Sequence, residues 1–154
     1  MNAFSNTALK AYASVGIETG VFSSSPQQLI VMLYEGAISA IASAQHHLLQ
    51  KEIAAKGKAI SKAISIIDGG LRASLDLSVG GELAQSLFEL YGYMSRRLLR
   101  ANLDNDNAAL DEVKQLLLQL RGAWEILAVK PVAAAIPSEI TPLPRTVAST
   151  YGST

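Results

Sequence analysis

The chain has 154 residues, the usual length of one domain and enough to bury a hydrophobic core. It contains no cysteine, which excludes disulfides, thiolate nucleophiles and cysteine-ligated metal sites. Its 13 basic and 13 acidic residues cancel, which argues against partners held by charge, such as nucleic acid or an anionic membrane.

The N-terminal segment, residues 1–24, is expected to precede the main fold as a cap. Its first 16 residues lack the basic region and the continuous apolar run of a signal peptide. No other segment reaches membrane-spanning length without a charge. We therefore expect a cytoplasmic protein with no membrane contact.

The first helix is predicted from Pro26 to about Leu49. Ser25 is the expected N-cap, and Gln28 completes an S-x-x-Q capping box. Pro26 stands at the first helical position, where its missing N–H costs nothing. Helical periodicity places one core stripe on Leu29, Leu33, Ala37, Ala40, Ile41, Ala44 and Leu48. Further apolar residues widen this stripe to about 200°, which is more than one core can bury; they are Val31, Tyr34, Ile38 and Leu49.

The rest of the chain predicts three more helices. The second is expected over about 53–75, the doublet Gly80-Gly81 should turn the chain, and the third should span about 82–103. Residues 102–106 should supply the last turn and cap, before a fourth helix over about 108–128. Long helices with short connections pack as antiparallel neighbours, so residues 25–130 predict an all-α, antiparallel up-down four-helix bundle. Residues 131–154 carry four of the five prolines and are expected to be a flexible tail.

The third and fourth helices also carry more apolar residues than one stripe needs. The third places Leu83, Leu87, Leu90, Tyr91, Met94 and Leu98 inward, with Phe88 and Leu99 off its flank. The fourth directs Val113, Leu116, Leu117, Leu120, Trp124 and Leu127 inward and leaves Leu118 and Ile126 over. A contiguous exposed apolar patch usually marks a partner site, and an amphipathic helix laid into a groove is a common way to fill one.

Several of these segments together resemble the flagellar secretion chaperone family, FliS. Tyr12 precedes VGIET, and the segments SSSPQQLIVMLYEGAI, GGELAQSLFELYGYMSRRLLRAN and LDEVKQLLLQLRGAW follow; the resemblance covers residues 7 to about 128. Two positions depart from the family pattern. Ser24 replaces the usual alanine of the cap motif, and Ser86 stands where the family often has asparagine.

The resemblance implies a cytoplasmic export chaperone, not an enzyme, that binds the disordered C-terminal segment of flagellin and prevents premature polymerisation. The expected client-binding residues are Tyr34, Ile38, Phe88, Tyr91, Met94, Leu98, Leu118 and Trp124. A core position is the competing interpretation for Tyr91, Met94, Leu98 and Trp124. An N-terminal lid is expected from Tyr12, Val15 and Ile17, with an ordinary cap as the alternative. A homodimer is a further expectation when the client is absent.

The polar residues predict no catalytic, cofactor or metal site. His46 and His47 point about 100° apart on a helix, so they cannot converge on one metal. His46 admits a histidine phosphotransfer bundle as an alternative function, although the Lys-Gly pair typical of that family is missing after it. A purely structural dimerising bundle is the third alternative. Arg96, Arg97 and Arg100 predict either a solvated face or a docking site for the export apparatus or an acidic co-chaperone.

Overall fold

A computed structural model describes the backbone of residues 25–129 and the side chains of residues 25–126. This part of the chain forms four helices. They are α1, Pro26–Leu49; α2, Ile53–Ile64, which continues directly into a π-helical segment, Ser65–Arg72; α3, Leu77–Asp104; and α4, Asn107–Val129. The predicted N-terminal cap, including Tyr12, Val15 and Ile17, and the predicted tail, 131–154, lie outside the described residues.

Helix α1 begins and ends where the sequence predicts. The Ser25 Oγ accepts a hydrogen bond from the Gln28 N–H at 3.1 Å, and the Gln28 Oε1 accepts one from the Ser25 N–H at 3.0 Å. This reciprocal capping box satisfies two backbone donors that the first turn leaves unpaired. The predicted helix start is confirmed.

The second helical stretch differs from its prediction in both length and form. It leaves the α-helical pattern after Ile64, and a π-helical segment carries it to Arg72 instead of Leu75. Two glycines lie where α1 approaches this stretch closely: a Cβ on Gly70 would stand 3.1 Å from Leu33 Cδ2, and one on Gly36 would stand 3.3 Å from Ile66 Cδ1. The absence of these side chains lets the two helices pack tightly.

The chain leaves the helical conformation at the predicted Gly80-Gly81 position, but a short helical turn precedes it. Helix α3 already begins at Leu77, because the Asp76 carboxylate caps it by accepting from the Ser78 and Val79 N–H groups at 3.1 and 3.2 Å. Gly81 then interrupts the helix with φ 64° and ψ −144°, a conformation that strongly favours glycine. The glycine doublet therefore joins a short helical turn that begins at Leu77 to the long helix predicted from residue 82, with a kink at Gly81.

The α3–α4 turn contains the predicted cap and a buried lysine. Asn105 adopts the left-handed conformation with φ 52°, and the Asp106 carboxylate accepts from the Ala109 N–H at 3.2 Å. Lys56, which is only 2% exposed, reaches this turn from α2. Its Nζ donates to the Asn102 carbonyl at 2.9 Å and to the Asn105 Oδ1 at 2.5 Å. The lysine thus holds the C-terminus of α3 against α2.

Contacts between the helices establish the antiparallel arrangement. Lys56 meets Asn102, then the Ser95 hydroxyl donates to Asp68 at 2.7 Å, and then the Arg72 Nε donates to the Phe88 carbonyl at 3.1 Å. Residue numbers therefore rise along α2 and its π segment while they fall along α3. Helix α1 packs against both α2 and α4, and α3 packs against α4 and the α2 stretch, which closes the ring. The predicted up-down four-helix bundle is confirmed.

The core lies between the four helices, and a pair of tyrosines crosses it. The Tyr34 and Tyr91 hydroxyls form a buried hydrogen bond of 2.5 Å between α1 and α3. Helix α1 buries Ile30 and Tyr34 completely, whereas Leu29 and Leu33 are only partly buried. The predicted stripe on α1 was therefore misplaced by one residue in its first turns, because packing between α2 and α4 selects which part of a wide apolar face turns inward.

Candidate functional site

Most of the residues predicted to line a surface groove lie in the core. Tyr34, Tyr91, Met94 and Leu98 have no exposed surface, and Trp124 is 1% exposed. These five residues are core residues in this structure, which agrees with the competing interpretation given for all of them except Tyr34. Client contact through them stays a prediction.

The other three predicted residues keep some exposed surface, but they lie on two different sides. Helical spacing puts the half-buried Ile38 and Leu118 beside the seam between α1 and α4. Gln45 marks this seam by donating to the Asn107 Oδ1 at 3.0 Å and accepting from the Lys114 Nζ at 2.8 Å. Ile38 lies two turns before Gln45 on α1, and Leu118 lies one turn after Lys114 on α4, so antiparallel packing brings them to one level of the seam.

Phe88 lies at the opposite seam, where the π segment meets α3. The Arg72 guanidinium covers its ring, with Cζ 4.0 Å from the ring centroid, while the Arg72 Nε holds the Phe88 carbonyl. Because the helices form a ring in the order α1, α2, α3, α4, this seam is opposite the one that contains Ile38 and Leu118. The structure therefore does not bring the three residues into a single groove.

An apolar stripe continues from Phe88 along α3. Its members are four, seven and four residues apart, which keeps them on one flank of a helix; they are Phe88, Gly92, Leu99 and Leu103. Leu99 is 54% exposed and Leu103 is 69% exposed. We call this set the α3 stripe. At 1.5 Å per residue it extends over roughly 22 Å, about the length of a four-turn helix.

The sequence pattern indicated only part of the α3 stripe. Phe88 and Leu99 were expected off the flank of the third helix, but Leu103 was assigned to the turn, and Gly92 has no side chain to reveal its role. The signal that could have found them was the regular spacing from Phe88 to Leu103, once the helix was extended to Asp104.

Other exposed apolar residues are distributed over the remaining surface. Met32 on α1 and Ile126 on α4 are about half exposed, and Leu49 and Ile53 flank the α1–α2 turn. Leu77 and Val79 are exposed in the first turn of α3. Isolated exposed apolar side chains are common on folded proteins, so these positions carry less weight than the aligned α3 stripe.

The arginines predicted to form one basic face have different environments. The Arg97 Nε donates to Glu112 at 2.6 Å, and the Arg100 Nε lies 3.0 Å from Asp104. Among the described residues, Arg96 has no ion pair with a carboxylate. Two of the three positive charges are thus neutralised within the bundle.

Glu112 is the centre of a polar cluster between α3 and α4. It accepts from the Tyr93 hydroxyl at 2.5 Å and from Arg97, and these two hydrogen bonds hold the pKa of the Glu112 carboxyl below its usual value. The same contacts with Glu112 raise the pKa of Tyr93 and that of Arg97. Each shift favours the protonation state found at neutral pH, so the cluster is a structural link and not a reactive site.

The histidines remain apart from the α3 stripe. His46 is exposed, and the His47 Nδ1 lies 2.6 Å from Glu52 at the end of α1. No cluster of three metal-ligating side chains occurs in the described part of the chain. Within residues 25–129, none of the helices combines the length and apolar character needed to span a membrane.

Comparison with known proteins gives a consistent family assignment. The family model described as "Flagellar protein FliS" matches residues 8–131. The flagellar secretion chaperone FliS of Salmonella typhimurium is 51% identical over 127 residues, which cover 82% of this chain and 94% of that protein. FliS of Escherichia coli is 45% identical over 79% of this chain and 90% of its own, and FliS of Bacillus subtilis is 32% identical over 70% and 79%. The chain therefore belongs to the FliS family of flagellar secretion chaperones.

Proposed function

We propose that this protein binds the disordered C-terminal segment of flagellin in the cytoplasm, keeps it from polymerising before export, and leaves it competent for secretion. FliS is a family of chaperones, not of enzymes, and its relatives are named for flagellar secretion. This assignment favours a chaperone over the phosphotransfer alternative on His46.

The observation that carries the proposal is the α3 stripe. Leu99 and Leu103 present exposed apolar surface along one flank of α3, and the half-buried Phe88, whose ring Arg72 covers on one side, continues it. A client segment that folds as an amphipathic helix along this flank would cover that surface and hide its own apolar face. Burial of each leucine would contribute up to about 1.5–3 kcal/mol before the cost of association.

The five buried residues among the expected client-binding residues have a supporting role in this proposal. Tyr34, Tyr91, Met94, Leu98 and Trp124 hold the helices in register, while Phe88 contacts the client directly. Ile38 and Leu118 offer a second contact on the α1–α4 seam for a segment long enough to wrap around the bundle. Tyr12, Val15 and Ile17 would shield the apolar surface when it is empty.

The test is co-purification with flagellin that carries or lacks its last forty or so residues, roughly the length of several short helices. We expect retention of full-length flagellin only. Leu99→Gln with Leu103→Gln should abolish retention, whereas Met32→Gln, the same type of change at an exposed position on α1, should not. Equal retention of truncated flagellin, or equal binding by both variants, would refute the proposal.

A dimer of two bundles is the competing use of the same surface. Sedimentation of the isolated chain separates the two possibilities. If the stripe serves only self-association, the Leu99→Gln and Leu103→Gln changes would convert a dimer to a monomer without changing flagellin retention.

A further inference from the structure

Two arginines converge above Gly92 in the middle of the α3 stripe. A Cβ placed on this glycine would stand 2.8 Å from the Arg72 Nη2 and 3.3 Å from the Arg96 Nη1. One guanidinium comes from the π segment and the other from the next turn of α3. The missing side chain thus lets two guanidinium groups approach the buried backbone of α3 at one point, which we call the Arg72–Gly92–Arg96 notch.

Arg72 is held in place by its other contacts. Its Nε donates to the Phe88 carbonyl at 3.1 Å, and its Cζ lies 4.0 Å above the centre of the Phe88 ring. These contacts direct the Nη2 over Gly92 and reduce the conformational freedom that binding would otherwise remove. The side chain is therefore preorganised for a ligand at this point.

The notch lacks an anion from the bundle itself. Among the described residues, neither Arg72 nor Arg96 forms an ion pair with a carboxylate, although Arg97 and Arg100 on the same helix both do. Asp68, one turn before Arg72, accepts instead from the Ser95 hydroxyl at 2.7 Å. Two neighbouring cations without a counterion repel one another, and a carboxylate between them would relieve that repulsion.

We infer that the Arg72–Gly92–Arg96 notch binds an acidic side chain of the client segment. This inference rests on the proposed function, because the notch lies in the α3 stripe between Phe88 and Leu99. Guanidinium groups bind carboxylates through paired, charge-assisted hydrogen bonds, and the adjacent Phe88 and Leu99 accept an apolar residue. The client helix should therefore place Asp or Glu about one turn from an apolar residue on the same face.

The first experiment tests the carboxylate site without a client. Gly92→Asp puts a carboxylate into the notch, and Gly92→Asn puts in its neutral counterpart of the same size. Both variants carry the same Cβ, so any shift that it imposes on the Arg72 guanidinium is common to them and cancels in the comparison. We expect Gly92→Asp to unfold at a higher temperature than Gly92→Asn, and this difference should vanish when Arg72→Gln and Arg96→Gln are added. Equal unfolding temperatures for the Asp and Asn variants would overturn the site.

The second experiment tests its use by the client. The C-terminal segment of flagellin is titrated against Arg96→Gln and, as a control with the same loss of charge, against Arg100→Gln. We expect the Kd to rise about three- to tenfold for Arg96→Gln and to stay nearly unchanged for Arg100→Gln. Gly92→Asp should bind more weakly than Gly92→Asn, because its own carboxylate pairs with the two arginines in place of the client's. Neutralising one acidic residue of the segment should remove the effect of Arg96→Gln.

The two experiments distinguish the failure of each proposal. If the wild type binds the segment and Arg96→Gln binds as well as Arg100→Gln, the notch has no role for the client and the proposed function stands. If the wild type does not bind while Gly92→Asp is more stable than Gly92→Asn, the proposed function fails, the client role fails with it, and the carboxylate site alone is supported.

Discussion

The Tyr34–Tyr91 hydrogen bond shows how a polar pair fits into an apolar core. Both rings are completely buried, and their hydroxyls meet across the bundle at 2.5 Å. The rings supply apolar area, while the hydroxyls satisfy hydrogen-bonding groups that would be costly to bury alone. This bond couples α1 to α3, two helices on opposite corners of the bundle.

We expect Tyr34→Phe and Tyr91→Phe each to lower the free energy of unfolding by about 1–2 kcal/mol, since each leaves a buried hydroxyl without this bond. The double variant should lose less than the sum of the two, because both changes remove the same interaction. Urea unfolding of the four proteins in a double-mutant cycle measures this coupling. Strict additivity would show that the hydroxyl pair contributes no coupling energy.

Lys56 is the second polar residue on which the core depends. Its stem is buried and its ammonium group binds two oxygens at the end of α3. We expect Lys56→Met, which keeps the apolar stem, to lower the free energy of unfolding by about 1–3 kcal/mol, because the Asn102 carbonyl loses its partner. Lys58→Met, at an exposed position two residues later, is the control and should change stability little. Equal effects in urea unfolding would contradict a specific role for Lys56.

Single residues determine where the helices of this fold begin, bend and end, and Gly81 is the clearest example. Its φ of 64° with ψ of −144° is strained for any residue with a Cβ. We expect Gly81→Ala to lower the free energy of unfolding by about 1–3 kcal/mol and to increase hydrogen exchange near Leu77.

The control for this change is Gly122→Ala in α4. No atom of the described residues outside the helix's own neighbouring backbone lies within 4 Å of a Cβ placed on Gly122, and alanine is the better helix former. This variant should be as stable as the wild type or more so in thermal unfolding. A loss at Gly122 as large as that at Gly81 would show that backbone conformation is not the cause.

The Glu112 cluster makes the link between α3 and α4 sensitive to acid. Hydrogen bonds from Tyr93 and Arg97 lower the pKa of Glu112 in the folded state. The contribution of Glu112 to the free energy of unfolding is therefore complete at pH values well above the pKa of an unfolded glutamate, about 4.3. It is lost as the pH falls through the folded value. We expect Glu112→Gln to be less stable than the wild type at pH 7 and the difference to shrink at pH 3, as measured by urea unfolding. A difference that grows in acid would contradict the assigned cause.

Local sequence signals predicted the helix starts better than the connections between helices. The Ser25 capping box and the cap around Asn105 and Asp106 are formed by residues that are neighbours in the sequence, so the sequence alone predicted them. Gly80-Gly81 marked the kink before the long part of α3, but the short helical turn that the Asp76 carboxylate caps ahead of it was not predicted. Nothing in the sequence indicated the π-helical segment, because its register depends on the close approach of α1.

At the scale of the whole molecule, the four described helices close a core and leave Leu99 and Leu103 of the α3 stripe exposed. A ligand that binds only the folded state stabilises it by about 2.7 kcal/mol at one hundred times its Kd. We expect the C-terminal segment of flagellin to raise the unfolding temperature accordingly, and Leu99→Gln with Leu103→Gln to lose most of this increase. Met32→Gln should retain it. An increase that survives loss of both leucines would place the client elsewhere.

The sequence predicted this surface only in part. A wide apolar arc showed that more apolar residues were present than one core needs, but periodicity alone could not tell which of them turned inward. Tyr34 was counted as surplus and Tyr91 as core, yet the two touch in the centre. Arg72 and Gly92 come from helices that meet only in the folded chain, so their proximity could not be derived from either segment.

Trp124 is the only tryptophan of the chain, and its indole lies inside the bundle on α4. Its fluorescence therefore reports the packing of the core and not the solvent side of α3. If the emission stays constant while flagellin binds, the client rests on a rigid scaffold; if it shifts, the interior rearranges as the client is taken up. One natural fluorophore can thus separate docking from remodelling without any added label.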